Sequence, residues 1–146
     1  MKPSFYLLLT RAYRAQKNTL RPGMPALGLS PGQPKILNRL LERDGCMQKE
    51  LAALCDIQPA TVSKMLDTME QNGLIRRGGE GERRRAASVS ITEKGREAYA
   101  GWQELCSAVE AKGLQDFSEE EKERFGGYLR RLYFNLTGRD IDGTNA

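Results

Sequence analysis

Apolar residues recur at helical spacing in six stretches of the chain, and two short runs between the fourth and fifth read as strands, so the pattern predicts a mainly helical fold. From Ser4 to about Leu20, Phe5, Leu9, Ala12 and Gln16 fall near one stripe, widened by Leu8 and Leu20. The segment Arg21 to Leu29 is a loop by its proline and glycine content, but it is too apolar for a free linker and is expected to pack on the body. Ser30-Pro31-Gly32-Gln33 has the order of a capping box, with serine as N-cap, glutamine three residues on and Pro31 at the first helical position. The second helix should run to about Arg43 and turn Ile36, Leu37, Leu40 and Leu41 to the core, with an imperfect first turn because Pro34 lacks an amide.

The residues from Gln48 to Thr92 organise the rest. Gln48 to Cys55 is rich in helix formers, with Leu51, Leu54 and Cys55 at helical spacing. Asp56-Ile57-Gln58 must be a tight turn, because Pro59 occupies the first position of the next helix, where no amide is lost. In that helix Val62, Leu66 and Met69 form the inward stripe, and Gly73 closes it at a left-handed position. The opposite face is small and polar: Ala60, Thr61, Ser63, Lys64, Asp67 and Thr68. Short hydrogen-bonding side chains near a helix N-terminus suit the major groove of DNA, where backbone and bases approach closely. Leu74 to Arg77 and Ser88 to Ile91 can pair as strands around a tip with three glycines and the adjacent Arg83, Arg84 and Arg85. A flexible basic tip of this kind can grip phosphates or enter a minor groove.

As they stand, KELAALCDIQPATVSKMLDTMEQNGLIRR and RRRAASVSITEKG resemble the multiple-antibiotic-resistance regulator (MarR) family of bacterial transcription factors. The motifs cover about a third of the chain, and helix order extends the likeness to the whole. The resemblance implies a winged helix-turn-helix with a small two-stranded wing and N- and C-terminal dimerisation helices. One MarR-like domain would fill residues 1–146, with the DNA-binding lobe over 30–92 and dimerisation helices over 4–20 and 93–136. It implies DNA contact through Gln48, Pro59, Ala60, Thr61, Ser63, Lys64, Asp67, Thr68, Arg83, Arg84 and Arg85, with Arg85 at the family's key wing position. The family's aspartate two residues before that arginine is replaced here by Arg83, with Glu82 one place earlier. Arg76 and Arg77 are read as strand residues, one of them pairing with Glu80 or Glu82. The family also holds small aromatic effectors between its lobes, for which Tyr6, Tyr13 and Trp102 are the candidates beside the plainer reading of core and interface packing.

After the wing, Thr92 can cap a long helix from Glu93 to about Lys112, with Tyr99, Trp102, Leu105, Cys106 and Val109 on its apolar side. Ser118 to Glu121 repeats the capping-box order ahead of a last helix to about Leu136. Gly126-Gly127 inside that helix costs about 1 kcal/mol per glycine relative to alanine, which points to a close approach or a bend. The outer helices hold more apolar surface than one winged module can cover, so a symmetric dimer on a pseudo-palindromic operator is expected.

Charge sharpens this picture. The net charge is +4, and residues 1–29 hold five Lys/Arg and no acid, while 96–146 hold seven against ten acids, so the basic surplus lies at the N-terminus and the wing. Three cysteines without a CxxC pair and no histidine exclude a structural zinc site, and no catalytic constellation or cofactor motif is present. Cys55 and Cys106 fall on apolar stripes as small hydrophobes, whereas Cys46, placed at a helix start, is the best candidate for a redox-active thiol. The apolar run Phe5 to Leu9 is too short for a signal peptide or a membrane span, so the expected location is the cytoplasm. Two alternatives remain at this point: a winged-helix module for protein contacts, and a thiol-based redox-sensing regulator.

Overall fold

The computed structural model describes residues 1–78 and 88–142. Its elements in order are α1 (Phe5–Leu20), two short 3-10 turns (Arg21–Gly23 and Pro25–Leu27), α2 (Gln33–Glu42), β1 (Cys46–Met47), α3 (Gln48–Leu54), α4 (Pro59–Gln71), β2 (Ile75–Arg77), β3 (Ser88–Ile91), α5 (Glu93–Gly113) and α6 (Glu119–Thr137). The chain divides into two compact units, Met1–Val109 and Glu110–Ala146.

In the first unit α2, α3, α4 and the sheet enclose one core. Ile36, Leu37, Leu40, Leu51, Val62, Leu66, Met69, Leu74 and Val89 are fully buried there. Ala98 of α5 joins them, and Tyr99 and Trp102 pack against the cluster from outside. The 21–29 segment does pack on the body, through buried Met24 and Leu29.

The two wing strands β2 and β3 pair antiparallel as expected, and a third strand, β1, adds to the far side of β3 to give the order β1-β3-β2. The extra strand is only Cys46 and Met47, too short to leave a periodic signal, and it exists because Val89 and Ser88 supply its partners. This corrects the reading of Cys46, which is a buried strand residue and not a candidate reactive thiol at a helix start.

Two expectations for the second helix are also corrected. It begins at Gln33, not at Pro31. With Ser30 as N-cap, Pro34 would be the fourth helical residue, whose amide must make the first intrahelical bond to the Ser30 carbonyl, and proline has none. Starting at Gln33 moves Pro34 into the first turn, where no amide is needed, and left-handed Gly32 (φ 88°) becomes the N-cap. Half of the expected box survives, since the Ser30 N–H donates to Gln33 Oε1 at 3.0 Å. Leu41, expected in the core, is exposed on the flank of α2 beyond the buried stripe of Ile36, Leu37 and Leu40.

Other helix starts are fixed by local hydrogen bonds. Ser4 caps α1 by accepting the Leu7 N–H, and Thr92 caps α5 by accepting the Gly95 N–H at 3.0 Å. In the second unit Ser118 and Glu121 form a complete capping box at the start of α6. The close approach expected at Gly126-Gly127 is not found among the described residues: a methyl group placed on either would meet no atom within 4 Å. Phe117 and Phe125 meet edge to face, with ring centroids 6.2 Å apart.

Candidate nucleic-acid interface

The turn between α3 and α4 is short because both of its ends are locally satisfied. Asp56 takes a left-handed conformation (φ 55°), which short polar residues tolerate, and the Ile57 N–H reaches back to the Ala52 carbonyl at 3.1 Å. Pro59 then opens α4 in its first turn, and Gln58 adds no side-chain cap there. At the far end Gly73 (φ 76°) stops the helix, and the Leu74 N–H bonds the Met69 carbonyl at 2.9 Å. Leu74 and Met69 are both buried, which completes a Schellman-type ending.

The first turn of α5 holds this C-terminal end in place. Thr92 Oγ1 donates to the Gly73 carbonyl at 2.6 Å, and Lys94 Nζ donates to the Asn72 carbonyl at 2.6 Å. Both bonds satisfy carbonyls near the helix end, and the lysine also suits the negative end of the α4 dipole. The pitch of α4 is thus set from inside by Val62, Leu66 and Met69 and from its end by α5.

The outward face carries most of the residues expected to meet DNA. Pro59, Ala60, Thr61, Lys64, Asp67 and Thr68 are exposed, and Ser63 is half-buried among them. The Thr68 hydroxyl donates back to the Lys64 carbonyl at 3.4 Å. Gln48 is half-buried at the start of α3. Arg83, Arg84 and Arg85 lie outside the described residues, as do Glu80 and Glu82.

Asp67 and Thr68 differ in an important respect. The Asp67 carboxylate is ion-paired with Arg77, whose guanidinium also lies 3.4 Å from Glu70 Oε1. Glu70 Oε2 accepts the Arg77 backbone N–H at 2.9 Å as well. Arg77 therefore finds partners on α4, while the pairing expected with Glu80 or Glu82 lies outside the described residues. The hydrogen bond to Asp67 raises the guanidinium pKa further above its usual value, so the charge is permanent. The sequence signal was present but missed: Asp67 and Glu70 stand three apart on one helix face, and the tight turn at Gly73 returns the chain past them.

The three effector-pocket candidates sit in different surroundings. Tyr6 and Tyr13 are exposed on α1, the latter with Lys17 Nζ 5.3 Å above its ring, whereas Trp102 is half-buried against the core. Tyr99, next to them in the sequence reading, donates from its hydroxyl to Asn38 Oδ1 at 2.9 Å and so ties α5 to α2. Burial pushes the Cys46 and Cys55 thiols up in pKa, Cys46 with help from Glu50, and this disfavours the reactive thiolate at both.

This geometry has close counterparts. Residues 29–84 match the model of the MarR family. The transcriptional repressor YetL of Bacillus subtilis (strain 168) is 30% identical over 116 residues, covering 75% of this chain and 67% of YetL. The crystal structure of a MarR-family transcriptional regulator from Silicibacter pomeroyi aligns with a TM-score of 0.73 at 27% identity, over 92% of this chain and 90% of that one. A MarR family protein of Mycobacterium tuberculosis, solved in complex with DNA, shares the fold with a TM-score of 0.75 at 20% identity, over 90% and 98% of the two chains. On the helix-turn-helix, the sheet behind it and these likenesses together, the chain belongs to the MarR family of winged helix-turn-helix transcription regulators.

Proposed function

We propose that this regulator is a cytoplasmic homodimer that binds a pseudo-palindromic operator in double-stranded DNA, represses transcription there, and is released by a small aromatic effector. The observation that carries the DNA reading is the division of α4 into two faces. Val62, Leu66 and Met69 are fully buried, while Thr61, Lys64 and Thr68 stand outward on a helix whose C-terminal end is held by α5. A recognition helix needs this combination, since base contacts require a fixed backbone at close range. Lys64, Arg83, Arg84 and Arg85 supply phosphate contacts and most of the affinity, and Thr61, Ser63 and Thr68 read base edges. Pro59 and Ala60 let the backbone approach closely, and Gln48 bonds a phosphate from the start of α3.

Dimerisation is supported by apolar side chains that each unit leaves in water. On α1 these include Phe5, Tyr6 and Leu8, and on α6 Phe125, Tyr128 and Leu136. Surfaces of this kind mark association sites. Repression is supported by relatives named as repressors, YetL among them. The effector reading rests on Tyr6, Tyr13 and Trp102, and it predicts that a ligand changes the spacing of the two lobes. No described helix is long and apolar enough to cross a membrane.

The test is fluorescence anisotropy with a duplex from just upstream of the coding region, at two salt concentrations, for wild type and Arg85→Ala. Tight binding that weakens with salt and with the substitution supports the reading. Salt-insensitive binding of a protein partner, with no duplex bound specifically, would leave a protein-contact module in its place.

A further inference from the structure

Resting on the reading that α4 meets DNA, we infer that Arg77 is a positioning residue that locks the wing strand β2 to the recognition helix, and that Asp67 serves this clamp and not a DNA base. Three bonds converge. The guanidinium holds Asp67 and Glu70, and the Arg77 backbone N–H donates to the other Glu70 oxygen at 2.9 Å. Because Glu70 takes both the main chain and the side chain of Arg77, the clamp fixes the strand itself and not only a side-chain tip. β2 is an edge strand, paired on one side by β3 alone, so this N–H has no strand partner to hold it.

Charge gives the clamp its consequence for DNA. α4 carries Lys64 against Asp67 and Glu70, so without Arg77 the helix presents net negative charge to a polyanion. The Arg77 side chain is only 22% exposed, whereas Asp67 is 56% exposed, so the arginine sits beneath the carboxylates and neutralises them from behind. A guanidinium placed there contributes no phosphate contact. It turns an unfavourable helix face into a tolerable one and holds β2 against α4.

The test uses the same upstream duplex across a salt series, with full-length wild type, Asp67→Asn, Arg77→Gln, Arg77→Lys and the double variant Asp67→Asn/Arg77→Gln, each checked for folding by thermal melting. Arg77→Gln should weaken binding roughly tenfold, Asp67→Asn by less because it removes a clamp bond and a negative charge together, and the double variant should bind no worse than Arg77→Gln, because both remove one interaction. Arg77→Lys should recover part of the loss. The dependence of log affinity on log salt should keep its slope in every variant, whereas loss of a phosphate contact would reduce it by about 0.9. A purely structural role would lower the melting temperature and leave the affinity of the folded protein unchanged. That result, additive losses, a reduced slope for Arg77→Gln, or a change in preference at a single base pair for Asp67→Asn would each overturn the clamp. Failure of wild type to bind any duplex would overturn the DNA reading first and the clamp with it, whereas normal wild-type binding with unaffected variants would overturn the clamp alone.

Discussion

The Asp44 carboxylate accepts the backbone N–H of Ile91 at 2.9 Å, joining residues 47 positions apart. The ladder between β1 and β3 ends at Cys46 and Val89, so the strand cannot itself supply a partner at Ile91. Asp44, just before the left-handed Gly45 (φ 79°), extends the pairing with a side chain. The corner after α2 is in this way tied to the strand that returns from the wing.

Replacing Asp44 by alanine should therefore loosen β3. A part-buried amide would lose a charged acceptor, and the expected loss is about 1 kcal/mol, discounted because Asp44 is largely in water. Asp44→Asn retains an acceptor oxygen and should lose less. Urea unfolding of both variants checks the order, and amide exchange at Ile91 should quicken more in the alanine variant.

Gly95 should not accept a side chain. A methyl group there would stand 2.2 Å from the Leu74 carbonyl oxygen and 2.8 Å from Ile91 Cγ1, and the first of these is backbone that cannot turn aside. Although alanine favours helix, Gly95→Ala is expected to lose about 1–3 kcal/mol by overpacking. Gly126→Ala, where no atom lies within 4 Å, should be neutral or gain up to about 1 kcal/mol. Thermal melting of the two variants side by side would expose an error, since equal shifts would contradict the crowding at Gly95.

Cys46 and Cys55 should make the fold sensitive to alkaline pH. Both thiols are raised above the ordinary value of 9.0, chiefly by burial, so the folded chain holds these protons more tightly than the unfolded chain does. The resulting contribution to stability is fully present below pH 9.0 and is lost as pH rises through the higher folded-state values. The urea midpoint of wild type should fall above pH 9.0 more steeply than that of a Cys46→Ala/Cys55→Ala variant. At neutral pH both thiols should react slowly with a thiol reagent until the chain is unfolded.

Lys64 and Thr61 should separate affinity from readout. Lys64→Ala is expected to weaken binding to all duplexes alike and to reduce the salt slope by about 1. Thr61→Ala should leave the slope unchanged and alter preference at one position, by about 1–3 kcal/mol between best and next base. Anisotropy over a salt series, with a set of single-base variants of the duplex, distinguishes the two. Identical profiles for both substitutions would mean that α4 does not lie in the groove.

Much of the fold was legible because its signals are local. The capping residues Thr92 and Ser118 act within one turn of their helices, Gly73 needs only its own left-handed backbone, and the Val62-Leu66-Met69 stripe follows from helical period alone. The candidate groove face was readable for the same reason, as the complement of that stripe. Even the misplaced start of α2 is a local matter, since Pro34 already forbids the earlier register.

What tertiary structure alone decided are the places where a residue's role depends on a partner brought from elsewhere. Two residues make β1 only because β3 returns beside them, and this burial makes Cys46, read from the sequence as a candidate redox-active thiol, a core group. Leu41 has the right composition for the core but falls just past the arc that the other elements cover. Arg77 lies ten residues past Asp67 in the sequence, and the turn at Gly73 is what brings it back against Asp67 and Glu70 on α4. Period and capping are properties of a few consecutive residues, so the sequence by itself determined the helices and their faces; pairing is a property of distance in space, which only the folded chain defines.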